Sequence, residues 1–218
     1  MLPFDRQVRA QVYRHLVASR LGPTKENLAE QRGWSAQEVG ESLERLHRDH
    51  FLALTPDRSR VMMAHPFSGV GTAFEAHVGS RSWFANCAWD ALAILALLGD
   101  GVATQSREGN ELVWEVSDGR VTPGGVIHVG IPARHFWDDI GFTSSTIEGF
   151  RSETEAEQAQ AAQGREVGYL ATVQAFFDMS RDWYAARMSE DWEPPTPDEA
   201  MAIWGRHGFV GEYWRLGA

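Results

Sequence analysis

Cysteine is almost absent from this chain: Cys87 is the only one in 218 residues. A lone thiol excludes an internal disulfide framework and every multi-cysteine zinc or iron–sulfur site, and it suits an intracellular setting. Long apolar runs are missing as well. The longest, Ala91 to Leu98, is far shorter than the roughly 20 residues that cross a bilayer, and the opening MLPFDRQVRA holds no apolar signal-peptide core. A cytoplasmic protein with no membrane partner is expected. Basic charge is in deficit, with a formal net charge of -10, which argues against nucleic acid or an anionic surface as partner. The deficit is uneven. Residues 1–60 carry ten Lys or Arg against eight Asp or Glu, about +2, and the remainder ten against twenty-two, about -12. No HxxxH pair, no clustered set of metal ligands and no repeat of fixed period occurs. No cofactor is expected.

What is present is apolar bulk: 43% of the residues are hydrophobic and 11% of the chain is aromatic, enough for a packed core. Phe4, Val8, Val12 and Leu16 recur every four residues and predict an amphipathic helix that Gly22-Pro23 ends. Thr24 opens a short helix to about Gln31. Ser35 and Glu38 have capping-box spacing before a third helix, Ala36 to about Asp49. Phe51–Leu54 and Val61–Ala64 read as strands around a Pro56–Arg60 tip. Three helices and a two-stranded wing make a winged-helix pattern over residues 1–64. Its would-be recognition helix carries Glu38, Glu41, Glu44 and Asp49 against Arg45 and Arg48, a face that repels phosphate.

Residues 65–218 change in character. Phe74–His77, Leu112–Val116 and Val126–Ile131 read as strands, with Asp118-Gly119 as a hairpin turn. Helices are predicted near 87–98, 135–140, 168–188 and 197–207, and the polar stretch 153–165 as a helical connector or loop. The fold class is therefore α+β, a winged-helix-like module followed by a small mixed or antiparallel sheet packed with helices.

The thiol stands at the front of the greasiest helix. Asn86 is a good N-cap and Gly99 a good stop, so Cys87 falls in the first turn, where amides and dipole favour a thiolate. Asp90, three residues on, shares its face. Two groups that each tend to be anionic in one partly buried place compete for a proton. Either they form an acid–base device, or they are a small hydrophobe and an ordinary first-turn acid. His65, His77, His128 and His135 are candidate partners, and no spacing selects among them; His128 alternates with Val126 and Val129 as a sheet-face residue would. Trp83, Trp89 and Trp137 flank the pair in sequence and are candidates to wall a pocket.

Residues 64–99, AHPFSGVGTAFEAHVGSRSWFANCAWDALAILALLG, with the tail GFVGEYWRL at 208–216, resemble the alkylmercury lyase family: a Pro-Phe-Ser-Gly start containing Phe67, a strand pair, then Cys-x-x-Asp-Ala-Leu. The resemblance implies protonolytic cleavage of a carbon–mercury bond without a cofactor, the substrate's mercury held by thiolates and the proton carried by an acid. It assigns these roles to Cys87 and Asp90. It also places Ser145, with Ser144 beside it, in FTSSTIEGFRS at 142–152, where the family has its second cysteine. A hydroxyl is a hard ligand for a soft metal, so the implied activity is weak. Two alternatives stand: the same fold acting through Cys87 on a small molecule without mercury, and a winged-helix regulator responding to metals or thiol-reactive compounds. A small-molecule substrate and a monomer or homodimer are expected.

Overall fold

The computed structural model describes residues 1–107 and 110–217. Helix α1, Pro3–Ala18, buries Val8, Val12 and Leu16 as the four-residue spacing predicts. Helix α2, Lys25–Arg32, is capped reciprocally by Thr24 and Asn27. Helix α3, Ala36–Arg48, takes only half of its predicted capping box: Ser35 Oγ accepts from the Glu38 amide at 3.4 Å, and the return bond is not formed. Asp5, in the first turn of α1, ties α1 to α3 through Ser42 Oγ at 2.6 Å and the Arg45 guanidinium at 2.7 Å.

Strands β1, Ala53–Leu54, and β2, Val61–Ala64, pair as the predicted wing does. They do not stop there. β2 pairs with β3, Phe67–Ser68, and the sheet continues through β5, Arg81–Ala85, β4, Phe74–Val78, β6, Gly101–Arg107, β7, Asn110–Ser117, and β8, Arg120–Thr122, in the order β1-β2-β3-β5-β4-β6-β7-β8, with every pairing antiparallel. Gly22 joins the first helices closely to this sheet: its amide donates to Gly69 O at 2.8 Å, and a Cβ there would lie 1.9 Å from Val61 O. Asp118 and Gly119, with φ of 49° and 77°, turn β7 into β8, the two positive values a tight hairpin needs. A second antiparallel sheet holds β10, Ile147–Phe150, β9, Val126–Val129, and β11, Tyr169–Thr172, in that order.

Between the layers runs α4, Ala88–Leu98. Ala91, Leu92, Ala93 and Ile94 are each 0% exposed, so a helix that is apolar all round is here a buried one. It packs on β4, β5 and β6 and beneath α7, Val173–Tyr184. One hydrophobic core runs from Val8 to Trp214. α5, Ile140–Ser145, α6, Glu153–Ala162, and α8, Pro197–Arg206, complete the α+β fold. None of the described helices is long and apolar enough to cross a membrane.

Three expectations change. The helix predicted at 135–140 lies at 140–145, because Asp139 caps it by accepting from the Phe142 amide at 2.9 Å. The helix predicted from 168 begins at Val173, because Tyr169–Thr172 pairs with β9 and Thr172 caps the helix. The sheets are larger than the expected small one, since two- and three-residue strands such as β3 and β8 carry no readable period.

Candidate active site

The site is built at the front of α4. The N-cap is Cys87 itself, one residue later than predicted: its backbone is extended, and its sulfur accepts from the Asp90 amide at 3.5 Å. Asn86, freed from capping, turns its side-chain amide to Asp90 Oδ2 at 2.9 Å. Tyr184, the last residue of α7, donates its hydroxyl to Asp90 Oδ1 at 3.0 Å. Beside β3, His65 Nε2 lies 3.7 Å from Asp90 Oδ2 and 3.2 Å from Ser144 Oγ, while its carbonyl accepts from Tyr13 of α1 at 2.8 Å. Three segments far apart in the chain, at residues 65, 86–90 and 184, thus meet at one carboxylate. No full opposite charge touches it.

Burial decides the electrostatics. It raises the Asp90 carboxyl above the ordinary aspartate range, against the opposing pull of His65, Asn86 and Tyr184. Burial, and after it the charge of Asp90, pushes the Cys87 thiol well above its usual value. The expected resting thiolate is therefore corrected: desolvation and a neighbouring carboxylate outweigh the helix N-terminus, and the sulfur carries its proton. His65 is held below the usual imidazole range, first by burial, and is neutral near pH 7.

Cys87, Asp90, His65, Ser144, Tyr184 and Trp89 face a cavity of about 80 Å3. The cavity sits where the β10 side of the second sheet, α5 and the end of α7 meet α4. Within it a buried thiol, a carboxyl inclined to hold a proton and a serine–imidazole pair lie together, an arrangement able to capture a soft electrophile and to move one proton.

A family model described as MerB, alkylmercury lyase, matches residues 67–185, more than half of the 218 residues. The chain belongs to the alkylmercury lyase family. Among solved structures it is similar to one described as the mercury-bound form of MerB2, with a TM-score of 0.66 and 18% identity over 85% of this chain and 91% of that one. At that identity the likeness establishes the fold. No curated protein sequence matches the chain.

In this alkylmercury lyase-like enzyme the predicted site residues divide. Cys87, Asp90, Ser144, Trp89 and Trp137 line the cavity. Ser145 does not: it is exposed, and its hydroxyl turns back to Phe142 O at 2.7 Å. On α5 neighbouring residues point about 100° apart, so of the serine pair Ser144 faces the cavity and Ser145 faces away from it. Trp83 is drawn to Val17 O at 3.2 Å, and Phe67 packs edge-on against Tyr13; both belong to the core behind the site. Of the four histidines only His65 reaches it. His128 lies in β9 and accepts from the Gly168 amide at 3.0 Å, His77 faces Glu75 at 3.5 Å, and His135 bonds Asp138 at 2.8 Å. Among the described residues no three His, Cys, Asp or Glu side chains are placed to hold a metal ion. Tyr184 and Arg187, which also lines the cavity, gave no sequence signal: they lie 94 and 97 positions beyond Asp90, and only the packing of α7 on α4 brings them near.

Proposed function

We propose that the chain cleaves organomercurials by protonolysis, slowly, with Cys87 as the mercury-capturing group, Asp90 as the proton carrier and Ser144, in place of Ser145, at the third position. The observation that carries the reading is a buried, protonated thiol at the N-cap of α4, its sulfur accepting from the Asp90 amide at 3.5 Å, in the same cavity as an Asp90 carboxyl raised above its ordinary range. As the sulfur bonds to the substrate's mercury, the anion that accompanied the mercury leaves and the S–H proton passes to the Asp90 carboxylate. The acid so formed returns this proton to the carbon, whose electrons from the breaking carbon–mercury bond receive it. Hydrocarbon departs, Asp90 is again a carboxylate, and mercury(II) remains on the Cys87 sulfur. Tyr184 and Asn86 hold the carboxyl in line for both transfers. Slow turnover follows from the single soft ligand, because the Ser144 hydroxyl is hard and tied to His65.

In this reading residues 1–64 are a helical module that braces residues 65–218, and Tyr13 buttresses His65. The protein works in the cytoplasm on a small molecule, as a monomer or homodimer, without nucleic acid: Glu38, Glu41 and Glu44 are exposed on α3. One observation favours a second reading, a cysteine-dependent reaction on a substrate without mercury. The Ser144–His65 pair is a polar group no mercury ligand requires, and it suits a carbonyl or hydroxyl. The deciding assay incubates the protein with phenylmercury acetate and measures benzene and mercury(II). Slow benzene release, absent in Cys87→Ala, is expected; release no faster than in buffer refutes the lyase reading.

A further inference from the structure

The small cavity is not the end of the site. A second one of about 310 Å3 adjoins it, and the two share Trp137, Trp183, His50, Phe51 and Arg187. The outer chamber's other walls are mainly apolar, with Trp192, Pro194, Pro195, Ala200 and Leu216 among them. Arg187 stands at the junction. Its guanidinium carbon lies 4.3 Å from the Trp192 ring centre, 5.4 Å from that of Tyr184 and 5.8 Å from that of Trp183. Its Nε is buried with no hydrogen-bond partner, and among the described residues no carboxylate reaches it. Other acids are occupied: Asp49, on the outer wall, takes Arg48 at 3.2 Å, and Asp90 is held by Asn86 and Tyr184.

Arg9 shows the contrast. Its guanidinium also lies on Trp192, at 4.7 Å, but it donates to the main-chain carbonyls of Arg187 and Ser189, so it is consumed in pinning the turn after α7. That pinned turn holds Arg187 in place from behind. A planar cation kept flat on aromatic rings presents its N–H edge to a bidentate anion. In a chain of net charge -10, a cation left without an acid at the wall of a cavity is a binding group.

We propose that Arg187 determines specificity by receiving the carboxylate of an aromatic substrate at the junction of the two chambers. The ring lies among Trp137, Trp183 and Phe51, and the bond to be broken points toward Cys87 and Asp90. A methyl group would leave most of this space unfilled. The proposal names the substrate class for the lyase reading, and its last clause rests on that reading; the anion site itself does not.

The test uses the full-length chain and two mercury-free probes of one shape, benzoate and benzamide, measured by calorimetry against wild type, Arg187→Gln and Arg187→Lys. Benzoate is expected to bind wild type at least about tenfold more tightly than benzamide, and to lose about tenfold or more in Arg187→Gln, with Arg187→Lys between, as befits a charge-assisted hydrogen bond. Equal binding of the two probes to wild type, or benzoate binding indifferent to both substitutions, overturns the proposal. Circular dichroism verifies that Arg187→Gln folds; if it does not, the wild-type preference and the lysine variant decide. Turnover of 4-chloromercuribenzoate against phenylmercury then separates the two claims. Arene release without preference for the carboxylate overturns the Arg187 assignment. Selective benzoate binding with no arene released from either mercurial supports that assignment and overturns the lyase reading.

Discussion

Asp5 and Asp90 are both first-turn helix acids with buried side chains, 4% and 1% exposed, and their carboxyls are shifted in opposite directions. Burial pushes the Asp5 carboxyl up, but the Arg45 and Ser42 hydrogen bonds and the Arg45 charge more than reverse it, and the group sits below its ordinary range. Burial pushes Asp90 up as well, and there the opposing pull of His65 and the hydrogen bonds of Asn86, Tyr184 and Cys87 do not reverse it. A carboxylate given a guanidinium is fixed as an anion and serves as a strut between α1 and α3. A carboxylate given neutral donors is kept in position while its affinity for a proton stays high. The difference between structure and chemistry here lies in one missing cation, not in burial.

The contrast is broken most severely at the site. Asp90→Asn preserves shape and one acceptor but carries no acid, so release of hydrocarbon from an organomercurial should fall by about 10²–10⁴-fold, the range for a lost general acid, and Cys87→Ala should abolish it. A variant Asp90→Asn that turns over at the wild-type rate removes Asp90 from the reaction. Asp5→Asn should do the reverse, leaving turnover per folded molecule alone and costing about 1–3 kcal/mol of stability. That figure is reduced from the usual penalty for breaking a buried pair because the Arg45 side chain is 29% exposed. For a chain of this size it is a drop of roughly 2–4 °C in Tm per kcal/mol, read by thermal unfolding near pH 7.

A smaller effect sharpens the site's side of the comparison. Ser144→Cys adds a second soft ligand inside the cavity and should raise turnover by about tenfold, about 1.4 kcal/mol at the barrier. Ser145→Cys, on the exposed side of α5, should not. A gain from Ser145→Cys alone would mean that α5 presents its other face to the substrate.

The two aspartates also mark what was legible in the sequence. Much that is governed by neighbours within a turn could be read there, namely the α1 stripe, the Ser35 cap, the Asp118-Gly119 hairpin and the placing of Cys87 and Asp90 together at the front of one helix, though not the Asp139 cap or the N-cap of α4. What hung on distant partners could not. Arg45 lies 40 positions from Asp5, and Tyr184 lies 94 from Asp90, so the sign of neither shift could be foreseen. The expected thiolate failed for the same reason, since helix position is local and desolvation is not. Tyr169–Thr172 was absorbed into a helix because a four-residue apolar strand has no period of its own. Ser144 and Ser145 could not be told apart until the start of α5 was fixed by Asp139.

The smallest effect is in the pH dependence of stability, and there the two acids should slope in opposite directions. Asp5, depressed in the fold, contributes stability above the unfolded value of about 3.9 that is lost as pH falls through its folded pKa. Asp90, raised in the fold, contributes stability below about 3.9 that is lost as pH rises through its folded pKa, because the unfolded chain gives up that proton first. The slope is at most about 1.4 kcal/mol per pH unit for one proton. Of the groups facing Asp90, Cys87 and Tyr184 are raised well above their ordinary values and stay neutral in this window. His65 is lowered, so its own contribution rises with pH and partly masks that of Asp90. Chemical denaturation between pH 4 and 7 should therefore compare Asp90→Asn with its parent in a His65→Gln background. There the parent should lose stability with rising pH relative to Asp90→Asn, whereas wild type should gain relative to Asp5→Asn as pH rises through the acid range. Parallel curves in the first comparison would mean that the Asp90 carboxyl has no raised affinity for a proton, and its place as the proton carrier would fall.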